Sequence, residues 1–287
     1  MRLIKSNAEV WTQQIPPKVN TQEAFVNLYL KGMYEFIERC GRTCYKSEDK
    51  LGEKPAEDFV KRMINSKHYA MLEHGTVYLT IPCSEWDNYV EFTWGYGSNP
   101  YVEYDDSECD WEKGKGNIYI TTNYRVIVEN HWEDDLKYLS VPLPKHEKRI
   151  TFCFTTDRGV THELVRHRVF SFAQESTRYC NYGKDKFGKE ITFIEPSWYE
   201  GVDSFTKNEF DRFLRDTESL YLWMLDKGLT PQQARQVLPN ATKATIIMTG
   251  FRSDWEHVWD LRLRGTTGAP HPDMKQLMEI AYAKYEK

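Results

Sequence analysis

The residues with the clearest chemistry lie between positions 166 and 179: Arg166-His167-Arg168-Val169-Phe170-Ser171-Phe172-Ala173-Gln174-Glu175-Ser176-Thr177-Arg178-Tyr179. Guanidinium groups present a planar fork of donors that matches phosphate or carboxylate oxygens. Three of them within fourteen residues, with a histidine and hydroxyls interleaved, are chemistry for holding an anion. The same spacing also suits a surface face that pairs with nearby acids. The formal net charge is −5, so the chain lacks the basic balance of a nonspecific nucleic-acid binder, and any anion site must be local. Two more arginines stand among apolar neighbours, Arg235 in Ala234-Arg235-Gln236-Val237-Leu238-Pro239 and Arg262 in Trp259-Asp260-Leu261-Arg262-Leu263. Each needs a partner, either a protein carboxylate or a ligand.

Other chemistries fall away on spacing. His162 and His167 are five residues apart, about 140° around a helix, whereas a helical zinc pair needs four residues and about 40°. No metal site is expected. Gly-x-Ser-x-Gly is absent, and nothing marks Ser176 as an activated nucleophile. Neither Gly-x-Gly-x-x-Gly nor a phosphate loop ending in Gly-Lys-Ser/Thr occurs. The six cysteines are scattered, with Cys40-x3-Cys44 the one close pair, and read as buried free thiols. His74, in Glu73-His74-Gly75-Thr76, and His257, taken singly, read as structural.

The elements that must position these residues follow from periodicity. Apolar spacing predicts helices over 21–39, with Phe25, Leu28, Tyr29, Phe36 and Ile37 inward, and over 55–64. Strands are expected over 76–81, 118–122, 149–154, 191–194 and 242–251, where β-branched and aromatic residues concentrate. Further helices are expected over 124–130, 161–168, 204–227 with Ser204 as N-cap, 230–237, 253–262 capped by Ser253-Asp254, and 273–287. Residues 96–115 are acidic, Gly-rich and aperiodic, and read as an exposed loop or lid within an insertion spanning about 96–145. The sum is one α+β domain over 1–287. No apolar run reaches the ~20 residues of a membrane span and no apolar leader is present, which points to a cytoplasmic protein with reduced thiols.

Four stretches in order resemble the flavin-dependent thymidylate synthases: Glu73-His74 before a strand, Arg166-His167-Arg168-x7-Ser176 with Arg178-Tyr179, Ala234-Arg235-Gln236-Val237-Leu238-Pro239, and the helix ending Leu261-Arg262. The resemblance implies a mostly antiparallel sheet packed with long helices, and a homotetramer with shared active sites. It implies methylation of dUMP with methylenetetrahydrofolate as carbon donor, FAD as hydride carrier and NADPH as reductant, without a cysteine nucleophile. By position, Thr76, Arg166, His167, Arg168, Gln174, Arg252, Ser253 and His257 would contact FAD. Glu163, Arg166, Gln174, Glu175, Ser176, Thr177, Arg178, Arg235 and Arg262 would surround dUMP. Arg262, Ser176 and His74 would be catalytic: Arg262 steadying charge on the uracil ring, Ser176 on the phosphate, His74 beside flavin and folate. Ala173, Glu163 and Phe251 depart from the family's usual Asn or Ser, Gln, and Asn. A flavin- or nucleotide-binding oxidoreductase without methyl transfer, and a single-stranded nucleic-acid module that stacks bases on aromatics, are the alternatives.

Overall fold

The computed structural model describes every residue except Lys18, residues 87–91, Thr93 and Lys287. Helix α1 (Gln22–Tyr45) starts where the Thr21 hydroxyl accepts the Ala24 amide at 3.2 Å, and ends as Lys46 turns left-handed at φ 48°. It runs past the expected end because Cys40, Gly41 and Thr43 are buried too. Gly32 is required mid-helix, since a β-carbon there would collide with the Gln14 carbonyl. Leu28 turns outward, contrary to its apolar reading.

One sheet organises the chain. Strands β2 (Asn7–Trp11), β6 (Arg149–Asp157), β9 (Lys243–Phe251) and β7 (Ser171–Gln174) lie side by side in that order, all antiparallel. Successive side chains on a strand point to opposite faces. Phe152, Phe154, Ile246 and Met248 therefore share one face, where they meet Trp255 and Trp259 of the helical segment Arg252–Trp259 and Met274, Leu277 and Met278 of the helix Pro272–Tyr285. Cys153, Ala173 and Ile247 share the other face, against Phe36 and Cys40 of α1. Burying each of these phenylalanines contributes roughly 1.5–3 kcal/mol, so the sheet's position between the helices is strongly fixed. A parallel pair, β1 (Arg2–Ile4) with β8 (Thr192–Ile194), and a second antiparallel sheet, β3 (Thr76–Pro82), β5 (Asn117–Asn123) and β4 (Glu103–Asp105), complete the named strands. The fold is mixed helix and mostly antiparallel sheet, as expected.

Several expectations change. Residues 96–115 are largely exposed or half-buried but are tied down: Tyr96 and Val102 are buried, β4 pairs with β5, and the Tyr96 ring packs on Trp132 at 4.1 Å. Aromatic residues in that stretch outweigh its charge. Nor are all six cysteines free. The turn that lets Asp110 donate to the Lys115 carbonyl at 2.8 Å sets Cys109 beside Cys83, and the two form a disulfide with Cα atoms 5.9 Å apart. Cys40, Cys44, Cys153 and Cys180 stay free. The helix expected over 161–168 forms as α-helix Arg158–Leu164, starting where the Asp157 side chain accepts the Val160 amide at 2.9 Å. Asp203, not Ser204, caps the helix Ser204–Asp226. No side chain caps the helix Arg252–Trp259, whose N-cap is Phe251.

Candidate active site

Asp157 ends β6 and starts the short helix Arg158–Leu164, so Glu163 sits one turn before the bend that carries His167 into β7. Past Trp259 the last helical turn widens into a π turn, Asp260–Arg264, closed by Gly265 at φ 69°. That widening delivers Arg262 to the same place. Its Nη1 donates to Glu163 Oε2 at 2.8 Å and its Nε to His167 Nε2 at 3.2 Å. Burial, then Arg262 and His257, push His167 down to about 4, so the ring is neutral and accepts from the guanidinium. Gln174 joins this face by donating to Thr161 Oγ1 at 2.9 Å. Arg166, Arg168 and His257 are exposed beside it. The side chains of Arg166 and Arg168 have no hydrogen-bond or ion-pair partner among the described residues.

The next turn of the signature goes elsewhere. Because Gln174 faces the tryptophan side of the sheet, Glu175 faces the α1 side. It is buried, takes Lys243 Nζ at 2.6 Å and Tyr182 Oη at 3.1 Å, and has Lys46 at 3.6 Å. Burial raises its carboxyl pKa, but the two lysines outweigh that and hold it below the ordinary value. The carboxylate and its partners line a cavity of about 530 Å³.

Ser176 is anchored to the end of α1, its amide donating to the Cys44 carbonyl at 2.9 Å. Its hydroxyl accepts the Arg178 amide at 3.3 Å. Arg235 reaches Thr177 Oγ1 at 3.5 Å, and Arg178 Nε donates to Gln232 at 3.1 Å. Arg178 and Arg235 are exposed, so this loop presents two guanidiniums and two hydroxyls together. Beside it opens a cavity of about 410 Å³ lined by Arg42, Cys44, Tyr45, Phe59, Arg62, His68 and Met71. The Arg42 and Arg62 guanidiniums lie 5.4 and 5.1 Å from the Phe59 ring. Sequence reasoning missed this group; no local motif ties Arg42, Arg62 and His68, and only the packing of α1 on the helix Ala56–Asn65 assembles them.

His74 is fully buried on the α1 face. Its Nδ1 is 2.8 Å from Thr249 Oγ1, which also meets Thr151 Oγ1 at 2.8 Å, while its Nε2 has no hydrogen-bond partner among the described residues. Burial, then the Arg149 charge, push the imidazole down to about 3. Thr76 is held by Gln13 through both backbone groups and receives Arg149 Nη1 on its hydroxyl at 3.3 Å. Arg252 donates to Tyr285 Oη at 3.1 Å, and the Ser253 amide to Glu147 at 3.0 Å. Within one chain the candidates thus divide between the two faces of one sheet: Glu163, His167, Gln174 and Arg262 on one, His74, Thr76 and Glu175 on the other. Among the described residues no group of three or more His, Cys, Asp or Glu side chains is placed to hold a metal ion. No helix among them is long and apolar enough to cross a membrane.

The chain is similar to several known proteins. A flavin-dependent thymidylate synthase of Pyrococcus furiosus is 33% identical over 139 residues, which are 47% of this chain and 54% of that protein. One of Corynebacterium efficiens is 28% identical over 218 residues, 72% of this chain and 83% of that protein. The aligned part thus spans about half the length of the Pyrococcus protein and most of the Corynebacterium one. A solved structure of the UMP/dUMP methylase PolB from Streptomyces cacaoi covers 99% of this chain at 14% identity and a TM-score of 0.44, a likeness too distant to carry an argument. The family described as thymidylate synthase complementing protein matches residues 144–287, which hold the signature, Arg235 and Arg262, and the chain belongs to that family.

Proposed function

We propose that the protein is a flavin-dependent thymidylate synthase, converting dUMP to dTMP with methylenetetrahydrofolate as carbon donor, FAD as hydride carrier and NADPH as reductant. One observation carries the reading: Arg262 is fixed against a neutral His167, flanked by the uncommitted guanidiniums of Arg166 and Arg168. Two exposed arginines without acid partners, next to His167 and the Glu163-bound Arg262, offer donors to an anionic ligand. The residues present fit a flavin nucleotide. The cavity of aromatic rings and arginines beside Ser176 suits a planar, hydrogen-bonding ring system.

When bound, the flavin supplies the hydride. The chain's own residues do the rest. In this reading Arg262 steadies negative charge as it builds on the uracil ring, which makes C5 nucleophilic. Ser176, Arg178 and Arg235 offer hydroxyl and guanidinium donors to the dUMP phosphate. No cysteine takes part: burial pushes Cys44 and Cys180 up to about 11 and Cys153 to about 12, so none is a ready thiolate. Candidates on opposite faces of the sheet are brought together if subunits share sites, so the reading includes a cytoplasmic homotetramer.

The test is dTMP formation from dUMP, methylenetetrahydrofolate and NADPH at low oxygen, on FAD-depleted protein with and without added FAD. Product only with FAD supports the proposal. NADPH oxidation without dTMP replaces it with an oxidoreductase that transfers no methyl group, and no flavin binding at all rejects both.

A further inference from the structure

Arg149 opens β6 at the edge of a cavity of about 180 Å³ whose other walls include Gln13, Thr76 and Thr151 with the rings of Trp11, Phe36 and Tyr78. Its Nη2 donates to the Glu73 carbonyl at 2.9 Å, its Nη1 to the Thr76 hydroxyl at 3.3 Å, and its guanidinium lies 5.8 Å from the centre of the Phe251 ring. All of these partners are neutral. No carboxylate lies within ion-pair distance of it among the described residues. The acids whose charge reaches it are Glu73, whose carboxylate binds Arg125 at 2.6 Å, and Asp254, which lies beyond ion-pair distance. Arg42 and Arg262 have their acid, Glu38 at 2.7 Å and Glu163 at 2.8 Å, whereas Arg149, like Arg158, has none among the described residues. Burial pulls the Arg149 guanidinium down to about 10, the mark of a cation taken from water without full compensation.

We propose that Arg149 is a phosphate-binding residue for the flavin dinucleotide, aimed into this cavity to supply the cation for its diphosphate; the inference rests on the flavin-dependent reading above. A half-buried cation with only neutral partners is costly in the ligand-free protein, and an anionic oxygen in the cavity supplies the missing counter-charge. The cavity is polar on the Thr76 and Thr151 side and too small for a three-ring system, which suits a phosphate. The dUMP phosphate has its own hydroxyls and guanidiniums at Ser176, Arg178 and Arg235. The surroundings match the cofactor: Thr76 bonds Arg149 directly, Phe251 is its partner across β9, and Arg252 follows Phe251 with its amide on the Lys148 carbonyl at 2.8 Å. Arg252 itself is committed to Tyr285, so Arg149 is the cation that faces the cavity.

The experiment measures dissociation constants of FAD, FMN and riboflavin by quenching of flavin fluorescence, on full-length Arg149, Arg149→Met and Arg149→Lys proteins, with the ligand-free melting temperature of each. Arg149→Met is expected to weaken FAD and FMN at least tenfold, leave riboflavin within twofold, and keep or raise the ligand-free melting temperature. Arg149→Lys should recover part of the loss. A purely structural arginine would instead lower the melting temperature and weaken all three flavins alike, which would overturn the proposal. FAD bound equally by the wild type and Arg149→Met rejects the role of Arg149 and leaves the flavin reading standing. A wild type that binds no FAD rejects both.

Discussion

Arg262 and Glu163 meet at 2.8 Å across 99 residues of sequence, and the same guanidinium reaches His167. The pair is partly open to solvent, so its own worth to stability is about 0–1 kcal/mol. Its importance is direction. Two acceptors on different elements hold the fork in one orientation.

Arg262→Ala should therefore abolish turnover while changing FAD affinity and the unfolding free energy little, by about 1 kcal/mol or less. Steady-state rates and flavin titration on the same preparation check this. Equal loss of turnover and FAD binding would remove Arg262 from the pyrimidine.

Acid should weaken the fold through its histidines. His74 and His167 have folded pKa values near 3 and 4, below the ordinary 6.5. The unfolded chain takes up protons first, so stability is full above about 6.5 and falls as pH drops towards those lower values, by roughly 1.4 kcal/mol per unit per ring. Urea unfolding at pH 7, 6 and 5 should show this slope. His74→Gln should remove its share, and an unchanged slope would contradict the burial of a neutral ring.

Glu175→Gln should destabilise by roughly 3–5 kcal/mol, because Lys46 and Lys243 would face each other without the carboxylate between them. The Glu175 carboxyl lies below its ordinary value, so its contribution is complete above the ordinary carboxylate range and disappears as pH falls beneath it. A variant as stable as the parent in denaturant would show that the lysines do not depend on Glu175.

Single Cys→Ala changes at Cys40, Cys44, Cys153 and Cys180 should leave turnover intact. Cys83→Ala or Cys109→Ala opens a 26-residue loop and should cost about 3 kcal/mol of stability without touching the reaction. A folded variant that loses activity would place a cysteine in the chemistry.

How far the sequence could be read depends on where its signals were local. β3, β5, β6 and β9 were legible because Val, Ile, Thr and Phe crowd each of them. β7 was not: Ser171-Phe172-Ala173-Gln174 is four residues inside a stretch whose arginines draw the eye, and only pairing with β9 makes it a strand. β1 and β2 are likewise short and defined by distant partners, β8 and β6. Arg262, His167 and Glu163 were found as residue types, but their meeting depends on a π turn that no local pattern announces. The face taken by Glu175 could not be seen without β7, since a strand's alternation decides it. His68, Arg42 and Arg62 had no motif at all.

The chain enters the second sheet after Gly75 and joins the main sheet at Arg149, whose Nη2 touches the Glu73 carbonyl at 2.9 Å. An excursion with touching ends can lengthen or shorten without displacing the strands after it, since closure entropy grows slowly with length. The register of β6 on β9, and so the placement of Glu163 and His167, is insulated from the size of segment 75–148. Excision is another matter. Phe25, Tyr29 and Met33 of α1 share one core with Val77, Leu79, Ile118 and Ile120 of that segment. A chain trimmed to join residue 73 to 149 would keep the sheet in register and leave one side of α1 bare.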